Sequence, residues 1–152
     1  MKKYLLLIFI YSFLSIGCSH SDSFPYEKGL RAYMNDFFQD DLHKIEDQTL
    51  VFIYLEYCRS CVRDALDYLE SISVSNKNYK LYLIGDPNFY PENESILNRL
   101  KQKYEVHKDI SSGHYSYITG IGEPLIIHVR KGSVENFIYI NSESLKKGIL
   151  LP

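Results

Sequence analysis

The chain has 152 residues, room for one domain with a real core and too little for two. Its composition is that of an ordinary globular protein, and a formal charge of −2 offers no electrostatic footprint for a nucleic-acid partner. There are 3 cysteines, an odd count that needs explaining, and no internal repeat, like-charge run or low-complexity segment divides the chain.

Met1-Lys2-Lys3 is a short basic start, and Tyr4 to Ile16 is almost wholly apolar. That span falls short of the about 20 residues a membrane-crossing helix needs. It fits the apolar core of a secretory signal instead. It ends in Leu14-Ser15-Ile16-Gly17-Cys18, which resembles a bacterial lipoprotein signal. In that family the Gly–Cys bond is cut and the new N-terminal cysteine is lipidated. Gly17 fits the pattern. Ser15 stands three places before the cysteine where Leu is usual, and Leu14 sits one place early. An ordinary signal cut elsewhere, or an uncleaved anchor, is the alternative. The resemblance implies residues 1–17 as signal peptide, 18–24 as a lipid-anchored flexible tether and 25–152 as the folded domain. Lipidation would use Cys18 and leave an even pair. It would hold the domain to a membrane of the bacterial cell envelope, facing the periplasm or the exterior.

Past the tether, Leu30, Tyr33, Met34, Phe37 and Phe38 recur at helical spacing and predict an amphipathic helix over one sheet face, ending near Asp40-Asp41. Leu50 to Leu55 has no polar alternation, the pattern of a central strand buried on both faces. It leads into Cys58-x-x-Cys61 and then a helical stripe of Val62, Ala65, Leu66, Leu69 and Ile72. That helix should fade in the Ser- and Asn-rich stretch from Ser73 to Asn78. Tyr79 to Ile84 reads as the next strand, broken by Gly85-Asp86-Pro87. Pro91-Glu92-Asn93 opens a second helix with Ile96, Leu97, Leu100 and Tyr104 inward. This alternation of strand and helix argues for βαβ units and a partly parallel sheet, an α/β fold. Val106 to Ile110 can add an edge strand. Ser111 to Gly122 reads as loop with one helical turn near Tyr115. Pro124 opens a strand from Leu125 to Val129, Lys131-Gly132 is a turn, and Val134 to Ile140 returns as a hairpin partner. Asn141 or Ser142 can cap a short last helix.

A strand that delivers two cysteines to a helix start suits thiol chemistry. The thiolate is the nucleophile of disulfide exchange, and a helix N-terminus favours negative charge through its dipole and free N–H groups. Cys58 sits at that position with Arg59 beside it, so Cys58 is the candidate nucleophile. Cys61, one turn further and less exposed, is the candidate resolving thiol. Three other readings stay open. The pair could be half of a zinc site, though no second pair exists and the histidines lack ligand spacing. It could be a static disulfide, or it could carry a metal with a histidine. His107, His114 and His128 read as surface or hydrogen-bonding residues, with His114 in the loop before Pro124. Tyr54 and Tyr57 read as packing residues.

The apolar strand, Cys58-x-x-Cys61 at a helix start, the βαβ crossover and Gly122-Glu123-Pro124 opening a hairpin resemble the thioredoxin-like superfamily. The Asp109–Pro124 segment is similar to the extracytoplasmic, membrane-anchored branch that includes cytochrome-maturation thiol reductases. The resemblance implies a three-layer sandwich with a central mixed sheet and a C-terminal hairpin. It implies Pro124 as a cis-proline facing the cysteines, offering backbone to an extended substrate and keeping metals off the thiols. Substrate contact would fall at Tyr57, Arg59, Ser60, Glu123 and Pro124. The implied activity is protein disulfide exchange without metal or cofactor, as a reductase of cysteine-containing envelope proteins, reset by a membrane electron carrier or thiol donor. A thioredoxin-fold binding or assembly module with structural or vestigial cysteines is the alternative, as is copper delivery, although relatives that deliver copper space their cysteines more widely. Four positions depart from the pattern. Tyr57 replaces Trp, Arg59-Ser60 replaces Gly-Pro, Phe52 replaces the buried acid of cytosolic thioredoxins, and Glu123 stands where Thr or Val is common. A carboxylate at Glu123 near Cys58 would oppose the thiolate.

Overall fold

The run from Leu50 to Leu55 needs two apolar surfaces to cover it, and the fold supplies them. In the computed structural model, which describes residues 24–72, 78–86, 93–111, 113–118 and 122–148, it forms most of strand β1 (Asp47–Tyr54). Leu50, Phe52 and Tyr54 point into one core, and Val51, Ile53 and Leu55 into another. The period-2 alternation of a strand thus serves two cores at once.

The described residues form one sheet of order β3-β2-β1-β4-β5. β1 pairs in parallel with β2 (Tyr79–Ile84), Val51 opposite Leu81, and β2 pairs in parallel with the edge strand β3 (Glu105–Asp109). On the other side β1 runs antiparallel to β4 (Leu125–Arg130), which turns into β5 (Ser133–Tyr139). Lys131 and Gly132 take φ of 48° and 75°, as a two-residue turn matched to strand twist requires.

Helix α1 (Glu27–Phe38) covers one face with Leu30, Tyr33 and Met34 buried. Phe37 and Phe38, expected in the buried stripe, lie at its rim: Phe37 is 41 % exposed, and Phe38 is partly buried with its ring 4.9 Å from that of Tyr82. Helix α2 (Arg59–Ser71) and helix α3 (Glu94–Lys103) cover the opposite face through Val62, Ala65, Leu66, Leu69, Ile96, Leu97 and Leu100. A short closing helix α4 (Ser142–Lys146) is capped by Asn141, which accepts from the backbone of Glu143 and Ser144 while Ser144 Oγ accepts from Asn141 N. The expected helical turn near Tyr115 is a 3₁₀ turn at Gly113–Ser116. Helix, sheet and helix make three layers, with the cysteines at the start of α2 and a hairpin at the C-terminal side. The fold is thioredoxin-like.

The expected signal 1–17, Cys18 and the polar part of the tether lie outside the described residues, as do Pro87, Pro91 and Glu92. Phe24, counted with the tether, is 3 % exposed, and its ring lies 5.0 Å from that of Phe137 in the α1-side core.

Tyrosine carries the polar bonds of both cores. Tyr33 Oη donates to Asp109 at 2.9 Å, Tyr82 Oη to Asp40 at 3.0 Å and Tyr104 Oη to the Leu69 carbonyl at 2.9 Å. Burial, as the largest cause, pushes the phenols of Tyr33, Tyr54, Tyr82 and Tyr104 well above the ordinary 10.0. The unfolded chain gives up these protons near 10 while the folded chain keeps them. Stability is therefore whole below that pH and falls as pH rises beyond it. Urea midpoints should drop steeply above about pH 10, in step with tyrosinate absorbance. A midpoint that stays level while free tyrosine ionises would contradict this.

Candidate active site

The end of β1 and the start of α2 are joined by a tight connection. Leu55 N donates to Ile84 O at 2.8 Å, extending the pairing with β2, and Tyr57 N donates to Tyr54 O at 3.2 Å to close a turn. The chain then reaches Cys58 in an extended conformation, φ −70° and ψ 117°, as the N-cap of α2. Its backbone carbonyl accepts from Val62 N at 2.9 Å. Its Sγ accepts from Cys61 N at 3.3 Å, so a sulfur occupies the place of a capping oxygen. Ser60 Oγ lies 3.1 Å from the same sulfur. When Cys58 is a thiolate, the N–H of Cys61 and the hydroxyl of Ser60 both donate to it, aided by the positive end of α2.

Cys58 and Cys61 form a disulfide, with Cα atoms 5.2 Å apart. Both cysteines are half-exposed, so the contrast in exposure expected between them is not pronounced. Cys61 lies in the first turn, ahead of the first core residue of α2, Val62. Arg59 and Ser60 are exposed between the two, at the rim.

Glu123–Pro124 is trans, since no cis peptide bond occurs among the described residues. The expected cis-proline is corrected. Pro124 is buried at the entrance to β4, and its carbonyl accepts from Ile140 N at 2.7 Å. An extended strand entry holds an X–Pro unit in its preferred geometry, and trans is the lower-energy isomer by about 0.5–1 kcal/mol. The loop does face the cysteine segment through Gly122. A Cβ built on Gly122 would stand 2.7 Å from two atoms of the Tyr57 ring. Tyr57, itself 44 % exposed, is thereby brought beside Gly122. Glu123 is half-buried, and its charge bears on Tyr139, whose phenol is raised by burial first, then Tyr26, then Glu123.

Two residues of this edge were not found by sequence reasoning. Glu56 Oε1 accepts from Asp86 N at 2.9 Å and fastens the cysteine loop to the end of β2, where Gly85 takes φ of 101°. Asn93 sits at the start of α3 and lines a cavity of about 460 Å³ with Arg59, Ser60 and Arg63. Neither residue belongs to a motif; the fold alone brings Asp86 to Glu56 and Asn93 to the cysteine end.

His107, His114 and His128 each pack or pair with other groups. His114 is buried against Tyr54, with ring centroids 4.7 Å apart, and against Tyr115 at 3.9 Å. His107 stacks on Tyr82 at 4.9 Å, and His128 lies between Asp47 and Glu135 at the other end of β1. Among the described residues no group of three His, Cys, Asp or Glu comes together to hold a metal ion.

No family model matches the chain, and no curated protein matches it either. Solved structures with a similar chain path include a secreted Mycobacterium tuberculosis disulfide oxidoreductase homologous to E. coli DsbE, 14 % identical over 64 % of this chain and 71 % of that one, TM-score 0.43. A peroxiredoxin-like protein from Aquifex aeolicus is 12 % identical over 69 % of this chain and 71 % of that one, TM-score 0.42.

Proposed function

We propose that this thioredoxin-like chain is a thiol–disulfide oxidoreductase of the bacterial cell envelope, working as a reductase on cysteine-containing proteins. The observation that carries the proposal is the half-exposed Cys58–Cys61 disulfide at the N-cap of α2, with Cys61 N and Ser60 Oγ aimed at the Cys58 sulfur. In the reduced protein the Cys58 thiolate attacks one sulfur of a substrate disulfide. A mixed disulfide forms, and the first substrate thiolate leaves. The Cys61 thiolate then attacks Cys58 Sγ. The intramolecular disulfide forms, and the second substrate thiolate leaves. Two electrons pass from the chain to the substrate, and a thiol donor or membrane electron carrier returns them.

Envelope placement rests on the basic start, apolar run and Gly17-Cys18. The deciding experiment is Cys61→Ser in cells, which should accumulate a mixed disulfide between Cys58 and its substrate. Cells in which no such adduct forms would argue for a static disulfide on a binding module. Cys18→Ala should release the chain from the membrane fraction, and full retention would refute lipidation.

A further inference from the structure

Beside the disulfide, the cavity at the start of α2 is lined by a buried residue whose side-chain amide has nothing to bind it. Asn93 is 2 % exposed, and neither its Oδ1 nor its Nδ2 has a hydrogen-bond partner. A buried polar group left so is destabilising, and a ligand that pairs with it removes that cost. Arg59, which has a contact of its own, and Arg63 line the same cavity, with Ser60 between them in the chain. Arg63 reaches Asp67 on its own helix at 3.4 Å, but both side chains are about half exposed and the pair is weak. Ser60 Oγ lies 3.1 Å from Cys58 Sγ, so the cavity begins one side chain away from the reacting sulfur.

These groups state what fits. A side-chain amide offers a donor and an acceptor side by side, and a peptide group is its complement. Guanidinium groups and the N-terminus of a helix take a carboxylate. A simple anion would satisfy Nδ2 and leave Oδ1 without a donor, and an apolar group would satisfy neither. We infer that this cavity binds an acidic peptide segment of the thiol substrate, an Asp or Glu close to the reacting cysteine, with a peptide group on Asn93 and the carboxylate on Arg59 and Arg63. The inference rests on the exchange activity proposed above and adds to it a preference for acidic flanks.

Two synthetic peptides test it, identical except for Asp or Asn beside one cysteine, each joined to thiopyridine as a disulfide. Release of thiopyridone by the reduced protein should be about three to ten times faster for the Asp peptide at low ionic strength, and the gap should shrink with salt. Arg63→Glu should reverse the preference. In a second arm the Cys58→Ser/Cys61→Ser protein is titrated with the same peptides carrying serine for cysteine, and the Asn93 side-chain amide is followed by NMR. It should shift saturably with the Asp peptide and much less with the Asn peptide. Equal release of thiopyridone from both peptides, with no response at Asn93, overturns the cavity's role and leaves the exchange activity standing. No release from either peptide, with Asn93 responding to the Asp peptide, supports the cavity and removes the exchange activity.

Discussion

Replacing Cys58 with serine should lower the rate of protein disulfide reduction by on the order of a thousandfold or more, because a hydroxyl offers no comparable nucleophile at neutral pH. Cys61→Ser should behave differently. Its Cys58 can still attack, so one equivalent of substrate thiol is released per chain before turnover stalls in the mixed disulfide. The contrast follows from position. Cys58 is the N-cap, with Cys61 N and Ser60 Oγ directed at its sulfur, while Cys61 follows inside the first turn. The wild-type rate should climb with pH while Cys58 ionises, since only the thiolate reacts. Stopped-flow release of substrate thiol separates the two variants. Equal loss in both, with no stalled burst, would mean that the roles of the two cysteines are not divided this way. A wild-type disulfide that exchanges slowly and has a potential below about −300 mV would mark it as structural.

Phe52→Asp should leave the chain unfolded or nearly so. Phe52 is 1 % exposed, and its ring stacks on Tyr82 at 4.9 Å and 15°, with Tyr82 stacked in turn on His107 at 4.9 Å and 16°. Removing a buried ring costs about 3–5 kcal/mol. An isolated buried carboxylate adds a further penalty or takes up a proton. The whole fold has about 5–15 kcal/mol to lose. Any stability the variant keeps should increase as pH falls, because protonation removes the buried charge. Phe52→Leu, which keeps an apolar side chain, should cost less than about 2 kcal/mol. Urea unfolding of all three proteins at neutral and acidic pH makes the comparison. If Phe52→Asp were within about 1 kcal/mol of wild type, the site would still accommodate the acid that cytosolic thioredoxins bury there, and the aromatic stack would be incidental.

What the sequence made legible follows a physical division. β1, β2 and the β4–β5 hairpin could be read because each is an apolar or turn-bounded run whose burial needs no partner information. The position of the disulfide at a helix N-terminus was legible for the same reason: strand, pair and helical stripe are contiguous. The trans bond at Pro124 was not, since an X–Pro unit read in sequence is compatible with either isomer. Asn93 and Glu56 were silent as well. Each is an ordinary polar residue until β2 and α3 are laid beside the cysteine loop. Phe24 was lost among the polar residues around it, because one aromatic has no period from which burial can be inferred.

The burial of Phe24 sets a mechanical limit on the protein. Under the lipidation of Cys18 proposed above, the leash from there to Phe24 would span at most about 20 Å when fully drawn out. Phe24 is pinned at 3 % exposure, so the leash cannot lengthen without opening the α1-side core. Under that proposal the domain would work close to the membrane surface and would meet targets delivered there.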